Sequence, residues 1–140
     1  MTIHDIARTD VVTASREQSA GNLATVMTEE DVGSVVIEEE DRPVGIVTDR
    51  DLMVKVLEPR ADPTTVTAGE IMTEDPTTVS IDDGVFEVTE AMAEASVRRM
   101  PVVDGEGSVA GIVTLDDLLV LLTRELGALS GVVEAESPPY

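Results

Sequence analysis

The sequence predicts a mixed α+β fold made of two β-α-β-β-α repeats. The first observation is an internal repeat, because residues 45–52 return as residues 111–118, a constant shift of 66 residues. In each copy an apolar stretch runs into Thr-x-x-Asp-Leu and then into a Leu-rich helical segment. The second observation is composition: hydrophobic residues make up 42% and aromatic residues only 1%, which favours an aliphatic core. We therefore expect a pseudo-two-fold pair of small sheets covered by helices.

The repeat extends upstream of this motif. Residues 5–10 match 70–75 at a shift of 65, and residues 35–37 match 101–103 at a shift of 66. One residue is therefore expected as an insertion between these points in the second copy. A connector rich in proline separates the copies. These boundaries predict a first repeat over 1–61, a second over 62–128 and a flexible acidic tail over 129–140.

The elements predicted for the first half follow the β-α-β-β-α order. Residues 11–13 form a small strand, and the S-x-x-Q pattern of 15–18 is a capping box that starts a helix. Strands 34–37 and 44–48 flank a charged turn, which predicts a hairpin. Residues 49–57 form the second helix.

The second half repeats this order. A strand over 77–79 leads to a helix start at 80–83, and one apolar helical face follows: Val85, Val88, Met92 and Ala95. Strands 101–104 and 109–114 form the second hairpin, and 116–128 the last helix. The run 118–122 is apolar nearly all round, so this helix is buried on more than one side or meets a partner chain.

The charge balance excludes several partners. The net charge is −20, the pI is about 4.1 and Lys55 is the only lysine. Such a surface repels nucleic acid and anionic membranes, so neither is expected as a partner. We interpret the acidity as adaptation to a salty cytoplasm, where ions screen self-repulsion. An acidic protein tuned only for solubility is the alternative.

Catalytic and metal chemistry have little support. The chain has no cysteine, and His4, its one histidine, has no partner in the sequence pattern. The acidic runs 29–31 and 38–41 lack the glycine and spacing of a calcium loop. We expect no catalytic residues, no metal site and no enzyme activity. The N-terminus shows no signal peptide, and apolar runs are too short to span a bilayer, so a cytoplasmic protein is expected.

The repeated corner has a purely structural interpretation. Thr48 ends a strand and Asp51 follows three residues later, which is the pattern of a capping box at a helix N-terminus. Thr114 and Asp117 repeat this pattern in the second half.

This order of elements, with Gly-Ile-Val-Thr-x-x-Asp-Leu occurring twice, resembles the cystathionine-β-synthase (CBS) domain. The resemblance covers residue 3 to about 127, and the tandem copies resemble a CBS pair, or Bateman module. In similar modules the Asp accepts hydrogen bonds from ribose hydroxyls, and the Thr contacts ribose or phosphate. Capping and ligand binding are compatible, because a helix N-terminus attracts phosphate.

The resemblance implies two sites in the cleft between the halves, each borrowing residues from the other half. The first site would be built from Thr48, Arg50, Asp51, Thr77, Val97, Arg98 and Arg99. The second, expected to be weaker, would be built from Val12, Val32, Gly33, Ser34, Thr114 and Asp117.

The two implied sites differ in charge. Adjacent Arg98 and Arg99 suit phosphate through bidentate hydrogen bonds, whereas Gly33 and Ser34 supply no cation. The alternative for the arginines is a surface pair that offsets nearby carboxylates. We expect the first site to bind an adenine nucleotide such as AMP, with ATP, ADP and S-adenosylmethionine as related ligands. The second site would bind weakly, bind adenosine-like groups or stay empty, and no cofactor is required.

Three functions fit these features. The first is a stand-alone regulatory module that binds an adenosine nucleotide and signals to a separate, unknown effector protein. The second is an assembly module without ligand, and the third is a divalent-cation sensor. The first two predict a homodimer through the apolar helices 51–57 and 116–128, as in similar modules that pair into a flat disc. Nucleotide binding separates them.

Overall fold

The computed structural model describes residues 1–136, which contain seven strands and five helices. The strands are β1 (Thr13–Ala14), β2 (Ser34–Glu39), β3 (Arg42–Thr48), β4 (Thr73–Glu74), β5 (Val79–Ser80), β6 (Arg99–Val103) and β7 (Val109–Thr114). The helices are α1 (Ala20–Glu30), α2 (Asp49–Leu52), α3 (Ala68–Ile71), α4 (Val85–Ala95) and α5 (Leu115–Glu136). A 3-10 turn covers Ile3–Asp5, and α2 continues as a π-helical turn over Met53–Leu57.

The strands form two small mixed sheets, in the orders β1-β2-β3-β4 and β5-β6-β7. In each half the short first strand is parallel to the next one, and the two longer strands form an antiparallel hairpin. The crossover helices α1 and α4 join the parallel pairs, as parallel strands require. The predicted mixed fold with two β-α-β-β-α repeats is confirmed.

The two halves exchange the segments that precede them. Ile3 is fully buried in the core of the second half, among Val88 and Val102. Conversely, Ala68 and Ile71 of α3 are buried in the core of the first half. Backbone hydrogen bonds fix both placements, from Ile3 N–H to Asp83 O (2.9 Å) and from Ala68 N–H to Gln18 O (2.8 Å). Each core is therefore closed by residues that the sequence places next to the other half.

A smaller apolar cluster joins the two sheets. Val36 and Ile46 of the first sheet pack with Ile112 of the second, and Val11 and Val109 cover them. Because these side chains are mostly buried, the two halves are held face to face and the space beside this cluster becomes a cleft.

Strand register corrects the expected position of the inserted residue. Ser34 pairs with Thr48, and Arg99 pairs with Thr114 in the same way. The shift between the halves is therefore still 65 residues at β6, so Val35 corresponds to Met100 and not to Pro101. The extra residue lies in the hairpin after β6, where the loop is longer than the two-residue turn of the first half. That shorter turn has positive φ at Glu40 and Asp41.

The expected helix starts also need correction. The Gln18 side chain does accept the Ser15 N–H (2.9 Å), but α1 begins only after Ser19, whose hydroxyl accepts the Asn22 N–H (3.1 Å). The second half is similar, since Asp83 accepts the Ser80 N–H (2.9 Å) and α4 begins at Val85. In both halves this side-chain hydrogen bond closes the turn between strand and helix. The N-cap residue of the helix comes later, at Ser19 and at Gly84.

The last helix is longer than expected. It was predicted to end at residue 128, yet α5 continues to Glu136, so residues 129–136 of the expected flexible tail are helical. Residues 137–140 of that tail lie outside the described range. Gly127 and Gly131 each cost about 1 kcal/mol relative to alanine, which does not stop a helix whose first proline comes at Pro138. Although α5 is long, it and the other helices within 1–136 are too polar or too short to cross a membrane.

Candidate functional site

A cavity of about 330 Å³ opens in the cleft between the two halves. Its lining comes from both halves and from the segment that precedes β1. The lining residues are Arg8, Asp10, Val11, Val12, Glu30, Asp31, Val32, Gly33, Ser34, Arg98, Arg99, Ile112, Thr114, Leu115 and Asp116. Its volume lies near the lower end of the about 300–1,000 Å³ range of small-molecule sites.

Two equivalent strand-to-helix corners frame this cavity. In the first half the Asp49 N–H donates to Gly33 O (3.0 Å), which ties the start of α2 to the residue before β2. In the second half the Leu115 N–H donates to Arg98 O (2.7 Å) at the same position. The hairpins thus bring the ends of four strands and the first turns of α2 and α5 to one side of the molecule.

The residues of the expected second site are largely brought together. Val12, Val32, Gly33, Ser34 and Thr114 all line the cavity. Asp117 is not part of the lining, because its carboxylate is turned to the start of its own helix.

The residues of the expected first site are divided. Arg98 and Arg99 line this same cavity, beside the residues of the second site. The other five are outside its lining: Thr48, Arg50, Asp51, Thr77 and Val97. The arginines therefore line the same cavity as Thr114, and the cavity that was expected to lack a cation contains two neighbouring ones.

Arg99 is the cavity side chain whose charge is partly buried and, among the described residues, unpaired. It is partly buried, and within residues 1–136 its guanidinium makes no hydrogen bond or ion pair. A Cβ added to Gly33 would lie 3.5 Å from Arg99 Nη1 and 3.4 Å from Asp49 Oδ2. Arg99 thus crosses to the first half, where the missing side chain of Gly33 leaves room for it. A guanidinium in such a place has free donors for a carboxylate or phosphate.

Arg8 is a cavity residue that sequence reasoning missed. Its Nε and Nη2 donate to Asp117 Oδ1 at 3.3 and 3.2 Å. Arg8 lies in the lead-in segment, whose backbone pairs with Ile112, and the equivalent residue of the other half is Thr73. The only sign of this role in the sequence was that a cation stands at residue 8, where the matching segment of the second repeat has Thr73.

The remaining charges of the cavity are mostly acidic and exposed. Arg98 and Asp116 approach to 4.0 Å, with 74% and 79% of their side chains exposed, so this pair contributes little. Asp10, Glu30 and Asp31 are exposed at the rim. Negative charge therefore surrounds a small positive centre made by Arg8, Arg98 and Arg99.

Both Thr-x-x-Asp motifs form capping boxes. Asp51 Oδ2 accepts the Thr48 N–H (2.9 Å), and Thr48 Oγ1 accepts the Asp51 N–H (3.3 Å). Thr114 and Asp117 make the same two bonds at 3.0 and 3.2 Å. The other oxygen of Asp51 lies 3.2 Å from Lys55 Nζ, which also donates to the carbonyl of Ile71. The structural interpretation of these motifs is confirmed.

The comparison with known families decides the identity of the fold. A family model described as the CBS domain matches residues 3–58 and 68–124. The chain belongs to the CBS domain family. Because the match falls on both repeats, the predicted tandem CBS pair is confirmed as well.

Several relatives share this CBS pair. An uncharacterized protein of Methanopyrus kandleri is 41% identical over 85% of the chain, which spans 61% of that relative's length. Hypoxic response protein 1 of Mycobacterium tuberculosis is 35% identical over 84% of the chain and 82% of its own length.

Solved CBS structures superpose on most of the chain. The CBS domain pair of protein MJ0100, in complex with 5′-methylthioadenosine and S-adenosylmethionine, is 28% identical with a TM-score of 0.79, over 89% of this chain and 98% of that one. Hypoxic response protein I, solved with two coordinated zinc ions, is 33% identical with a TM-score of 0.75, over 85% and 97%. In the described part of the present chain, no cluster of three or more His, Cys, Asp or Glu side chains could hold a metal ion.

Proposed function

We propose that this CBS pair is a stand-alone regulatory module that binds an adenosine nucleotide of the AMP type in the cavity between its halves. The observation that carries the proposal is the partly buried Arg99, whose guanidinium has no partner within residues 1–136 and faces a cavity shared by both halves. None of the described side chains has a buried polar atom without a partner, so the Arg99 guanidinium stays accessible from the cavity and its free donors can bind an anionic ligand. The adenosine ligands in the complex of protein MJ0100 support the choice of ligand class.

Each part of the ligand has a chemical counterpart in the cavity. The phosphate would be held by Arg99, with Arg98 beside it, through charge-assisted hydrogen bonds. The ribose would lie at the Thr114–Asp117 corner, at the N-terminus of α5, which also favours negative charge. The apolar side chains of Val12 and Ile112 would contact the adenine ring. The other residues of the expected first site, which was expected to be the stronger one, are proposed to form a separate, weaker site without the two arginines: Thr48, Arg50, Asp51, Thr77 and Val97.

A regulatory role follows from where the cavity lies. Since both halves contribute lining residues, a bound nucleotide bridges them and favours one relative position over others. Such a shift requires only that the ligand bind the two arrangements with different affinity. A separate effector protein would detect the arrangement. Among the described residues His4 is exposed and no metal cluster exists, so we propose a non-enzymatic module.

Calorimetry with AMP tests this proposal. The Arg99→Ala variant should bind AMP about 10–100-fold more weakly, since hydrogen bonds to charged groups contribute about 1.5–3 kcal/mol. Arg124→Ala is the matched control, because it removes the same charge from an exposed site on α5 outside the cavity lining. Adenosine binding should change little in either variant. Equal AMP affinity in wild type and Arg99→Ala would overturn the proposed site.

A second function is favoured by exposed apolar side chains on the helices. Met53 and Leu57 after α2, and Leu119, Leu126 and Leu129 on α5, are all more than half exposed. Large apolar surfaces of this kind mark interaction sites. We propose that the module forms a homodimer through these helices, whether or not it binds a ligand. A thermal-shift screen with AMP, ADP, ATP and S-adenosylmethionine would separate a ligand sensor from a pure assembly module, and Mg²⁺ in the same screen tests the divalent-cation alternative.

A further inference from the structure

Phe86 is the most exposed large apolar side chain in the described part of the chain, at 83%. It is also one of only two aromatic residues, the other being Tyr140. An aromatic ring buries a large apolar area when it meets a partner. Phe86 lies in the first turn of α4, followed on the same side by the exposed Thr89 and Ala93, so nothing within residues 1–136 covers it.

The equivalent position in the other half has the opposite shape. Helices α1 and α4 align from their first residues, with buried Leu23 and Met27 corresponding to Val88 and Met92. Phe86 therefore corresponds to Gly21. At Gly21 the surface opens into a groove of about 590 Å³ between α1, the α2 segment and the connector. Its lining residues are Ala20, Gly21, Ala24, Asp49, Leu52, Met53, Val56, Leu57, Arg60, Ala61 and Pro63.

Small residues keep this groove open. The Gly21 N–H donates to Pro63 O at 2.9 Å, and a Cβ on Gly21 would lie 3.3 Å from that oxygen. The glycine thus lets the connector approach α1 closely, and Ala24 one turn later adds little bulk. The floor is apolar, with Leu52 and Val56, while Asp49 and Arg60 supply its charges. A phenyl ring fits the groove in size and polarity, and Arg60 could cover its face.

We propose that two copies of this chain associate head to tail as a two-fold dimer, so that the first half of each copy contacts the second half of the other. Phe86 of each copy is then inserted into the Gly21 groove of the other. The proposal rests on the homodimer proposed above and specifies its contacts and orientation. A two-fold dimer repeats each contact, so one protruding ring and one groove on each chain form two identical, closed contacts. If instead like halves met, ring would face ring and groove would face groove, leaving both rings poorly packed.

Cysteine cross-linking tests the orientation directly, because the natural chain has no cysteine to interfere. Ala24→Cys and Phe86→Cys are made as separate variants and mixed under mild oxidation. Head-to-tail association predicts a disulfide between the two variants and little within either one. Efficient self-linking of Phe86→Cys alone would show that like halves meet, and would overturn the proposed orientation.

Sedimentation equilibrium in high salt tests the contribution of the ring. Phe86→Ala should weaken dimerisation at least about 10-fold, as truncation of a buried aromatic anchor does in other interfaces. Ala24→Trp should weaken it too by filling the groove, whereas Phe86→Leu should retain most of the affinity. Phe86 is exposed and Ala24 lines a groove, so circular dichroism should show unchanged folding in all three variants.

The outcomes distinguish this inference from the proposal on which it rests. A wild-type chain that stays monomeric at high salt contradicts the homodimer itself, and this inference with it. A stable dimer that tolerates both Phe86→Ala and Ala24→Trp contradicts only the ring-in-groove contact. AMP binding is measured separately on Phe86→Ala, which should keep the wild-type nucleotide affinity because Phe86 lies outside the cavity lining.

Discussion

Arg8 and Asp117 form an ion pair across 109 residues of sequence, with Arg8 Nη2 3.2 Å from Asp117 Oδ1. The pair links the segment before β1 to the first turn of α5. Of its two residues, Arg8 also lines the cavity. In the first half the corresponding carboxylate, Asp51, receives Lys55 from its own helix instead. Both repeated aspartates therefore have a cation, but only the cation on Asp117 comes from a distant part of the sequence.

In the proposed ligand orientation, Arg8 would compete with the ribose for Asp117. If the proposed ligand orientation is right, Arg8→Ala frees Asp117 Oδ1 and strengthens adenosine binding by a few-fold, since an exposed pair contributes about 0–1 kcal/mol. Adenosine is used as the ligand, because it lacks a phosphate group, which the Arg8 guanidinium would attract. Calorimetry on wild type and Arg8→Ala measures the change. A clear loss of adenosine affinity would mean that Arg8 binds the ligand directly.

The capping box of α2 predicts a stability effect. Thr48→Ala removes the acceptor of the Asp51 N–H and should lower the free energy of unfolding by about 1 kcal/mol. Thr78→Ala is the control, since Thr78 is exposed and has no hydrogen bond from its side chain within the described residues. Urea unfolding compares the two variants. Equal stability of both would show that the box contributes nothing measurable.

Gly111 predicts how tightly the N-terminal segment is packed. A Cβ at this position would lie 2.5 Å from Arg8 O, which accepts the Ile112 N–H, while the Arg8 N–H donates to Ile112 O. Gly111→Ala should therefore destabilise the protein by about 1–3 kcal/mol, as overpacking does. Gly105→Ala is the control, because a Cβ there meets nothing within 4 Å. Thermal unfolding of the two variants measures the difference, and a stable Gly111→Ala chain would contradict this packing.

The net charge of −20 predicts a strong dependence on salt. Self-repulsion should lower the melting temperature in dilute buffer, and added salt should raise it, since the Debye length falls to about 3 Å at 1 M. A dimer doubles the charge, so association should gain from salt as well. Melting curves across a potassium chloride series test both effects. Greatest stability near zero salt would refute the interpretation as adaptation to a salty cytoplasm.

The fold could be predicted from the sequence because the two copies of the repeat can be compared with each other. Each strand and helix could be compared with its equivalent, so the hairpins and α1, α2 and α4 were placed within a few residues. Helix starts were misplaced because Ser15 and Ser80 have the pattern of caps but close preceding turns. The end of α5 was missed because glycine weakens a helix without ending it.

The candidate site was predicted only in part, because side-chain direction is set by packing between the halves. Val12, Gly33 and Thr114 were expected together from the resemblance to CBS pairs, and all three line one cavity. The motif alone could not show that Arg99 extends to Gly33, because this depends on how the two sheets face each other. Arg8 could not be predicted either, since its role depends on the exchange of the lead-in segments.

That exchange has a consequence for how the protein is made. Ile3 is synthesised before the side chains that bury it, which extend to Val113 and Leu118 in the second half. Ile3 therefore stays exposed to solvent until the second half of the pair has been synthesised. A fragment that stops after residue 61 would lack Ala68 and Ile71 from its interior, just as one that starts at residue 62 would lack Ile3. The two repeats are therefore expected to fold as one cooperative unit, and neither copy alone is expected to complete its own core.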